Sequence, residues 1–105
     1  MEIQTKGLEI LNENEKKDFE TVLGKYYEKI ERKLKDISSI VFHLKEYNRQ
    51  GTRKKFSIHA KIVYSGKFFE ADSFDWDLKR TIHKLFRKME EEIEHKFHLS
   101  DKRKK

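Results

Sequence analysis

The fold is decided by residues 40–73, which read IVFHLKEYNRQGTRKKFSIHAKIVYSGKFFEADS. Two stretches of this segment, 40–44 and 56–64, carry an apolar side chain at every second position. Side chains of a strand point alternately to opposite faces, so this spacing collects the apolar side chains on a single face. The segment therefore predicts two half-buried β-strands.

Turn-forming residues connect and follow these strands. Residues 49–55, which are rich in basic side chains and include Gly51, are expected to form a long hairpin loop. The Ser65-Gly66 pair then reverses the chain into a third candidate strand at 68–73. Together the strands predict an antiparallel meander.

Two stretches with helical periodicity flank the meander, since their apolar residues recur at spacings of three and four. The first helix is predicted to run for about 20 residues. It should begin near Asn12, whose side chain can form a cap with Glu15, or near Asn14 as an alternative cap. The second is predicted to begin with Asp75 or Asp77 as its cap. The apolar stripes consist of Phe19, Val22, Leu23, Tyr26, Ile30, Leu34 and Ile37 in the first helix and of Leu78, Ile82, Leu85, Phe86, Met89, Ile93 and Phe97 in the second.

A short first strand at residues 3–5, ended by Gly7, completes the order β-α-β-β-β-α. Two amphipathic helices are available to cover the apolar face of the strands. The predicted fold is therefore an α+β two-layer sandwich, in which both helices pack on one face of a four-stranded sheet and the other face stays open. Residues 1–99 are expected to form one domain and residues 100–105 a basic flexible tail.

The composition argues against several classes of function. The 105 residues include no cysteine, which excludes disulfides, thiolate zinc sites and cysteine nucleophiles. The sequence has neither a glycine-rich phosphate loop nor a serine nucleophile motif, so we expect no enzyme, no catalytic residue, no metal ligand, no cofactor and no small-molecule substrate. No apolar run approaches the roughly 20 residues of a membrane span, and a soluble cytoplasmic protein without membrane contact is expected.

Basic residues are clustered, and the net charge of +6 favours a polyanionic partner. Residues 79–88 of the second helix contain five basic side chains and no acid, whereas the following turns are rich in glutamate. The candidate RNA-binding residues are Lys79, Arg80, Lys84, Arg87 and Lys88 in the second helix and Lys25, Lys29, Arg32 and Lys33 in the first. A candidate RNA-binding loop adds Arg49, Arg53, Lys54 and Lys55. Such clusters can bind phosphates, and they also occur as ordinary solvated faces.

The open sheet face is expected to carry aromatic side chains that could stack on unpaired bases or contact another protein. Its residues are Tyr47, His43, His59, Lys61, Phe68 and Phe74, with Trp76 just before the second helix. Glu70 and Asp72 lie between the two phenylalanines and would repel phosphate.

Over nearly its whole length, the sequence resembles the ribosome hibernation-promoting factors, also called the ribosome-associated inhibitor or sigma-54 modulation family. The order of elements is the same. The matching residues are the strand Ile3 to Gly7, Lys29-Ile30-Glu31, Ile37, the run Gly66, Phe69, Ala71 and Ser73, the segment Asp77 to Ile82, and Leu85, Phe86, Lys88 and Met89. Three positions depart from the family pattern: Lys79 stands where tyrosine is usual, Thr81 replaces an alanine, and Glu91 replaces a basic residue.

The resemblance implies a protein that binds the small ribosomal subunit through its rRNA and blocks the path of tRNA and mRNA. A monomer away from the ribosome is expected. Longer family members carry an additional dimerising domain that is absent here, so pairing of ribosomes would need another partner or another surface. Two alternatives stay open: a binder of double-stranded RNA with a related α-β-β-β-α layout, and a protein-interaction module that uses the open sheet face.

Overall fold

The structure is a computed structural model that describes residues 2–34, 37–50 and 53–97. Its elements follow the predicted order, with an additional 3-10 turn at Leu8–Ile10. The strands are β1 (Glu2–Lys6), β2 (Ile37–Gln50), β3 (Arg53–Tyr64) and β4 (Lys67–Asp75), and the helices are α1 (Glu13–Lys33) and α2 (Leu78–Phe97). The predicted α+β sandwich is confirmed. Among the described residues, no helix is both long and apolar enough to cross a membrane.

The four strands form one sheet in the order β1-β2-β3-β4. The strand β1 pairs with β2 in parallel, and the other two pairings are antiparallel. Gly7 ends β1 in a left-handed conformation with φ of 89°. A β-carbon at this position would overlap the backbone oxygen of Leu44 in β2. Only glycine therefore lets the chain leave β1 so close to its neighbour.

The apolar rows of β2 and β3 form one core with the helix stripes from Phe19 to Leu34 and from Leu78 to Ile93. The side chain of Phe97 is outside the described part of the structure. Phe42 at the centre of β2 is fully buried and meets Phe19 of α1 edge-on, at 5.9 Å between ring centroids. Phe42 also lies 5.9 Å from the ring of Phe86 in α2. A single strand residue thus contacts both helices, as expected if they share one face of the sheet.

The helices begin where their caps were predicted. The side chain of Asn12 accepts a hydrogen bond from the backbone N–H of Glu15 at 2.8 Å, and the Glu15 side chain accepts one from the backbone N–H of Asn12 at 2.9 Å. In α2, the carboxylate of Asp77 accepts from the backbone N–H of Arg80 at 2.9 Å. Each cap satisfies N–H groups that the helix leaves unpaired.

The two helices lie side by side and run in the same direction. Near their starts, Lys79 of α2 lies 3.8 Å from Asp18 of α1. Near their ends, Lys33 of α1 lies 3.7 Å from Glu94 of α2. Basic residues on both helices are therefore carried on the same side of the molecule.

Two sequence predictions are wrong in detail. Residues 49–55 are not a long loop, because β2 continues to Gln50 and β3 begins at Arg53. Backbone pairing extends beyond the apolar alternation that was used to locate the strands. Likewise Ile37 does not end the stripe of α1; it begins β2, pairs with Tyr64 and is buried there. The helix has already ended at Lys33, and the backbone of Leu34 is extended.

Candidate nucleic-acid interface

The candidate basic residues of both helices lie at the surface, and only Lys84 among them is partly covered. We use the term helix surface for Lys25, Lys29, Arg32 and Lys33 of α1 together with Lys79, Arg80, Lys84, Arg87 and Lys88 of α2.

An aromatic contact joins the two halves of the helix surface. The ring of Tyr26 in α1 stacks on Phe86 of α2 at 4.7 Å between centroids. Its hydroxyl is hydrogen-bonded to Nδ1 of His83 at 2.6 Å. The ammonium group of Lys29 lies 5.3 Å from the centre of the same Tyr26 ring. These contacts place the charge of Lys29 at the boundary between α1 and α2.

Two members of the helix surface also stabilise the fold. Asp75 ends β4, and its carboxylate lies 2.9 Å from the ammonium of Lys84 and 3.2 Å from Nε of Arg80. The carboxylate also accepts a hydrogen bond from the backbone N–H of Asp77. The side chain is only 16% exposed. The Lys84 hydrogen bond, supported by backbone N–H donors and the charge of Arg80, holds the pKa of Asp75 far below its usual value, although partial burial acts in the opposite direction.

Weaker contacts involve other members of the helix surface. Lys33 lies 3.8 Å from Glu90 and 3.7 Å from Glu94, and Lys79 lies at a similar distance from Asp18. Such long, solvent-exposed pairs contribute little to stability. A phosphate group could therefore replace these carboxylates at small cost.

Lysines of α2 also reach the outer strand of the sheet. Lys88 donates a hydrogen bond to the backbone oxygen of Asp72 at 3.0 Å, and Lys96 donates one to that of Phe68 at 3.1 Å. Both acceptors belong to β4, which forms one edge of the sheet. Lys88 therefore lies on the side of α2 that faces this edge.

The remaining members carry charge that no ion pair neutralises in the described part of the chain. They are Lys25, Lys29, Arg32 and Arg87. In particular, Arg87 makes no ion pair with Glu91, although helical spacing would allow one. These four residues are the part of the helix surface best prepared to bind an anion.

Of the basic residues predicted for the hairpin loop, only Lys55 has a described side chain, and it does not lie on the helix surface. Arg49 lies in β2 and Arg53 and Lys54 lie in β3, but their side chains are outside the described part of the structure, as is the tail at 100–105. The side chain of Lys55 lies on the open sheet face, 4.5 Å from the ring centre of Phe74. This face is opposite to the helices, because the neighbouring Phe56 is buried beneath them.

The open face carries the predicted aromatic side chains, all well exposed. Tyr47 is 46%, Phe68 48%, Phe74 55% and Trp76 36% exposed. The two acids on this face lie near His59, whose ring is 3.1 Å from Glu70 and 3.7 Å from Asp72. Within residues 2–34, 37–50 and 53–97, there is no group of three or more His, Asp or Glu side chains that could hold a metal ion.

No protein-family model matches this sequence, and no curated protein matches it either. Solved structures do share its fold. A ribosomal subunit interface protein from Coxiella burnetii is 20% identical with a TM-score of 0.56, and the match covers 89% of this chain and 93% of that one. The N-terminal domain of Protein Y from Thermus thermophilus is 15% identical with a TM-score of 0.52, over 90% of this chain and 93% of that one. This likeness is one of fold, and it agrees with the family resemblance of the sequence.

Proposed function

We propose that this protein binds the small ribosomal subunit through its rRNA and sterically blocks the tRNA and mRNA path, as a hibernation or translation-inhibition factor. Two observations support the proposal: the fold is shared with a ribosomal subunit interface protein, and both helices present basic side chains on one surface. In this role the protein acts in the cytoplasm, is a monomer away from the ribosome, and needs no catalytic residue, cofactor or small-molecule substrate.

The observation that carries the proposal is the uncompensated charge of Lys25, Lys29, Arg32 and Arg87. Lysine and arginine bind RNA by neutralising phosphates and releasing counterions. The parallel packing of α1 and α2 holds these charges on one rigid surface. Binding would therefore fix the orientation of the whole domain on the RNA.

Binding of double-stranded RNA in the α-β-β-β-α manner is less well supported. That layout has no strand before its first helix, whereas here β1 pairs with β2 along its full length, from Glu2 to Lys6. The solved structures with this fold also favour a ribosomal partner.

The proposal is tested by sedimenting the purified protein with small ribosomal subunits at low and rising salt, and by adding it to a cell-free translation reaction. We expect co-sedimentation that salt reverses, together with reduced translation. The double variant Arg32→Glu, Arg87→Glu should bind about tenfold more weakly or worse, because it reverses two charges that face the RNA. Neither residue forms an ion pair with a described residue, so folding should be retained.

A matched control is Lys6→Glu, Lys17→Glu, which makes the same change of net charge at exposed positions of β1 and early α1. This control should bind subunits nearly as well as the wild type. If both double variants lose binding equally, only net charge matters and the helix surface is not the binding site. A wild-type protein that stays in the supernatant at low salt contradicts the proposal itself.

A further inference from the structure

The open sheet face has an aromatic end that the proposed function does not use. Tyr47 of β2 pairs in register with Lys55 of β3. Phe74 of β4 pairs with Ser57, which lies two residues after Lys55 on β3. Trp76, just beyond β4, lies 5.9 Å from the ammonium of Lys55, measured to the ring centre. Three exposed rings therefore surround one lysine at the hairpin end of the sheet. We name this group, together with Lys45, the aromatic platform.

Charge distinguishes the platform from the rest of the open face. Lys45 and Lys55 are its charged members. The nearby Asp75 is turned away from the platform, because its carboxylate contacts Lys84 of α2. The acids Glu70 and Asp72 lie farther along β4, with the His59 ring 3.1 Å from Glu70 and 3.7 Å from Asp72. The platform itself therefore carries positive charge, and the carboxylates of the open face lie beside it on β4.

The spacing of the rings suits unpaired bases. Adjacent strands lie about 4.8 Å apart. Tyr47 on β2 and Phe74 on β4 are therefore two strand spacings apart, with Lys55 and Ser57 of β3 between them. Exposed rings on a sheet can each stack on a base, and a base stacks well only when it is not already paired in a duplex. The lysines supply the phosphate contacts that stacking alone lacks.

A protein partner fits these residues less well. Lysine is depleted from the centre of protein interfaces, yet Lys55 lies at the centre of the platform. A second copy of this chain would in addition bring like charges together. From the placement of rings and charge we infer that the aromatic platform binds single-stranded RNA by stacking on its unpaired bases, independently of the helix surface.

Trp76 provides a direct measurement, because it is the one tryptophan in the chain. A uridine oligomer of about ten nucleotides, long enough for one such site, is titrated into the full-length protein at low salt. Stacking should quench the Trp76 fluorescence in a saturable curve. Phe74→Ala and Tyr47→Ala should each weaken binding about fivefold or more, since each removes one stacking surface. Lys55→Gln should weaken binding and reduce its dependence on salt.

Phe68→Ala is the matched control, because Phe68 is comparably exposed on the same face but lies at the other end, next to Lys61. It should leave oligonucleotide affinity unchanged, and circular dichroism should show that all variants are folded. Absence of quenching, or equal loss in the Phe68 and Phe74 variants, would overturn the inference. Quenching that grows with protein concentration before RNA is added, and that Phe74→Ala removes, would instead identify a second copy as the occupant.

The test separates this inference from the proposed function. Arg32→Glu, Arg87→Glu should leave the Trp76 titration unchanged, because both residues lie on the opposite side of the sheet. Conversely, Phe74→Ala should still co-sediment with small ribosomal subunits. Failure of either experiment therefore leaves the other interpretable.

Discussion

At the scale of single residues, Gly7 and Gly24 show how differently one residue type is used. Gly7 has a φ of 89°, and its α-carbon faces the backbone of Leu44. Gly24 lies on the exposed side of α1, where a β-carbon would meet no atom within 4 Å. Glycine is required at the first position and is unfavourable at the second, because it weakens a helix interior.

These environments predict opposite effects of the same substitution. Gly7→Ala should lower the free energy of unfolding by about 3 kcal/mol, since it adds backbone strain and a steric overlap. Gly24→Ala should raise it by about 0.5 to 1 kcal/mol through helix propensity. Urea unfolding followed by circular dichroism measures both. Equal stability of the two variants would contradict the described path of the chain between β1 and the Leu8–Ile10 turn.

At the scale of elements, Asp75 links the end of β4 to α2 through Lys84 and Arg80. Its pKa is lower in the folded than in the unfolded chain, chiefly because of the hydrogen bond from Lys84. It therefore stabilises the fold fully above its unfolded pKa of about 4, and this contribution is lost as pH falls from there toward the lower folded pKa.

The Asp75→Asn variant should accordingly lose about 1.5 to 3 kcal/mol of stability at neutral pH, the usual contribution of a hydrogen bond to a charged group. The difference in free energy of unfolding between the variant and the wild type should become smaller as pH falls below about 4, because the wild-type carboxylate then becomes protonated and loses its stabilising charge. Urea unfolding at a series of pH values measures this. Asp72→Asn, on the exposed face of the same strand, is the control and should change stability little. A stability difference that stays constant with pH would show that Asp75 stabilises the fold through its shape and not through its charge.

Helices and strands could be predicted from the sequence where apolar periodicity or a capping residue indicated them. The Asn12 and Glu15 cap and the apolar stripes from Phe19 to Leu34 and from Leu78 to Ile93 are examples. Strand pairing beyond Tyr47 was missed, because arginine and lysine give no apolar alternation even where the backbone remains paired. The ion pairs of Asp75 were missed for another reason: they join residues five and nine positions apart that only the bend between β4 and α2 brings together.

At the scale of the whole molecule, the sheet separates two surfaces of different chemistry. The helix surface lies on one side and the aromatic platform on the other, with the core between them. Sequence clustering indicated the basic residues of both helices, but their relative position depended on the parallel packing of α1 and α2. Which basic residues of the helix surface form ion pairs and which do not likewise depends on tertiary contacts.

Separate surfaces predict that the two ligands do not compete. A saturating uridine oligomer should leave the protein bound to small ribosomal subunits, because sites on opposite faces without shared partners act nearly independently. Co-sedimentation with and without the oligomer measures this, and the Phe74→Ala variant controls for nonspecific displacement. Release of the wild-type protein by the oligomer would mean that both ligands use one surface.

The hydrogen bonds from Lys88 and Lys96 to β4 bear on how such a protein stays dispersed in solution. An edge strand offers free backbone groups to which a foreign strand can add, and this is a common start of aggregation. Here the carbonyl oxygens of Asp72 and Phe68 already accept from ammonium groups. An incoming strand would have to displace both donors and strip water from two charges. Lys88, a candidate RNA-binding residue, and Lys96 thus also protect this edge of the sheet against the addition of further strands.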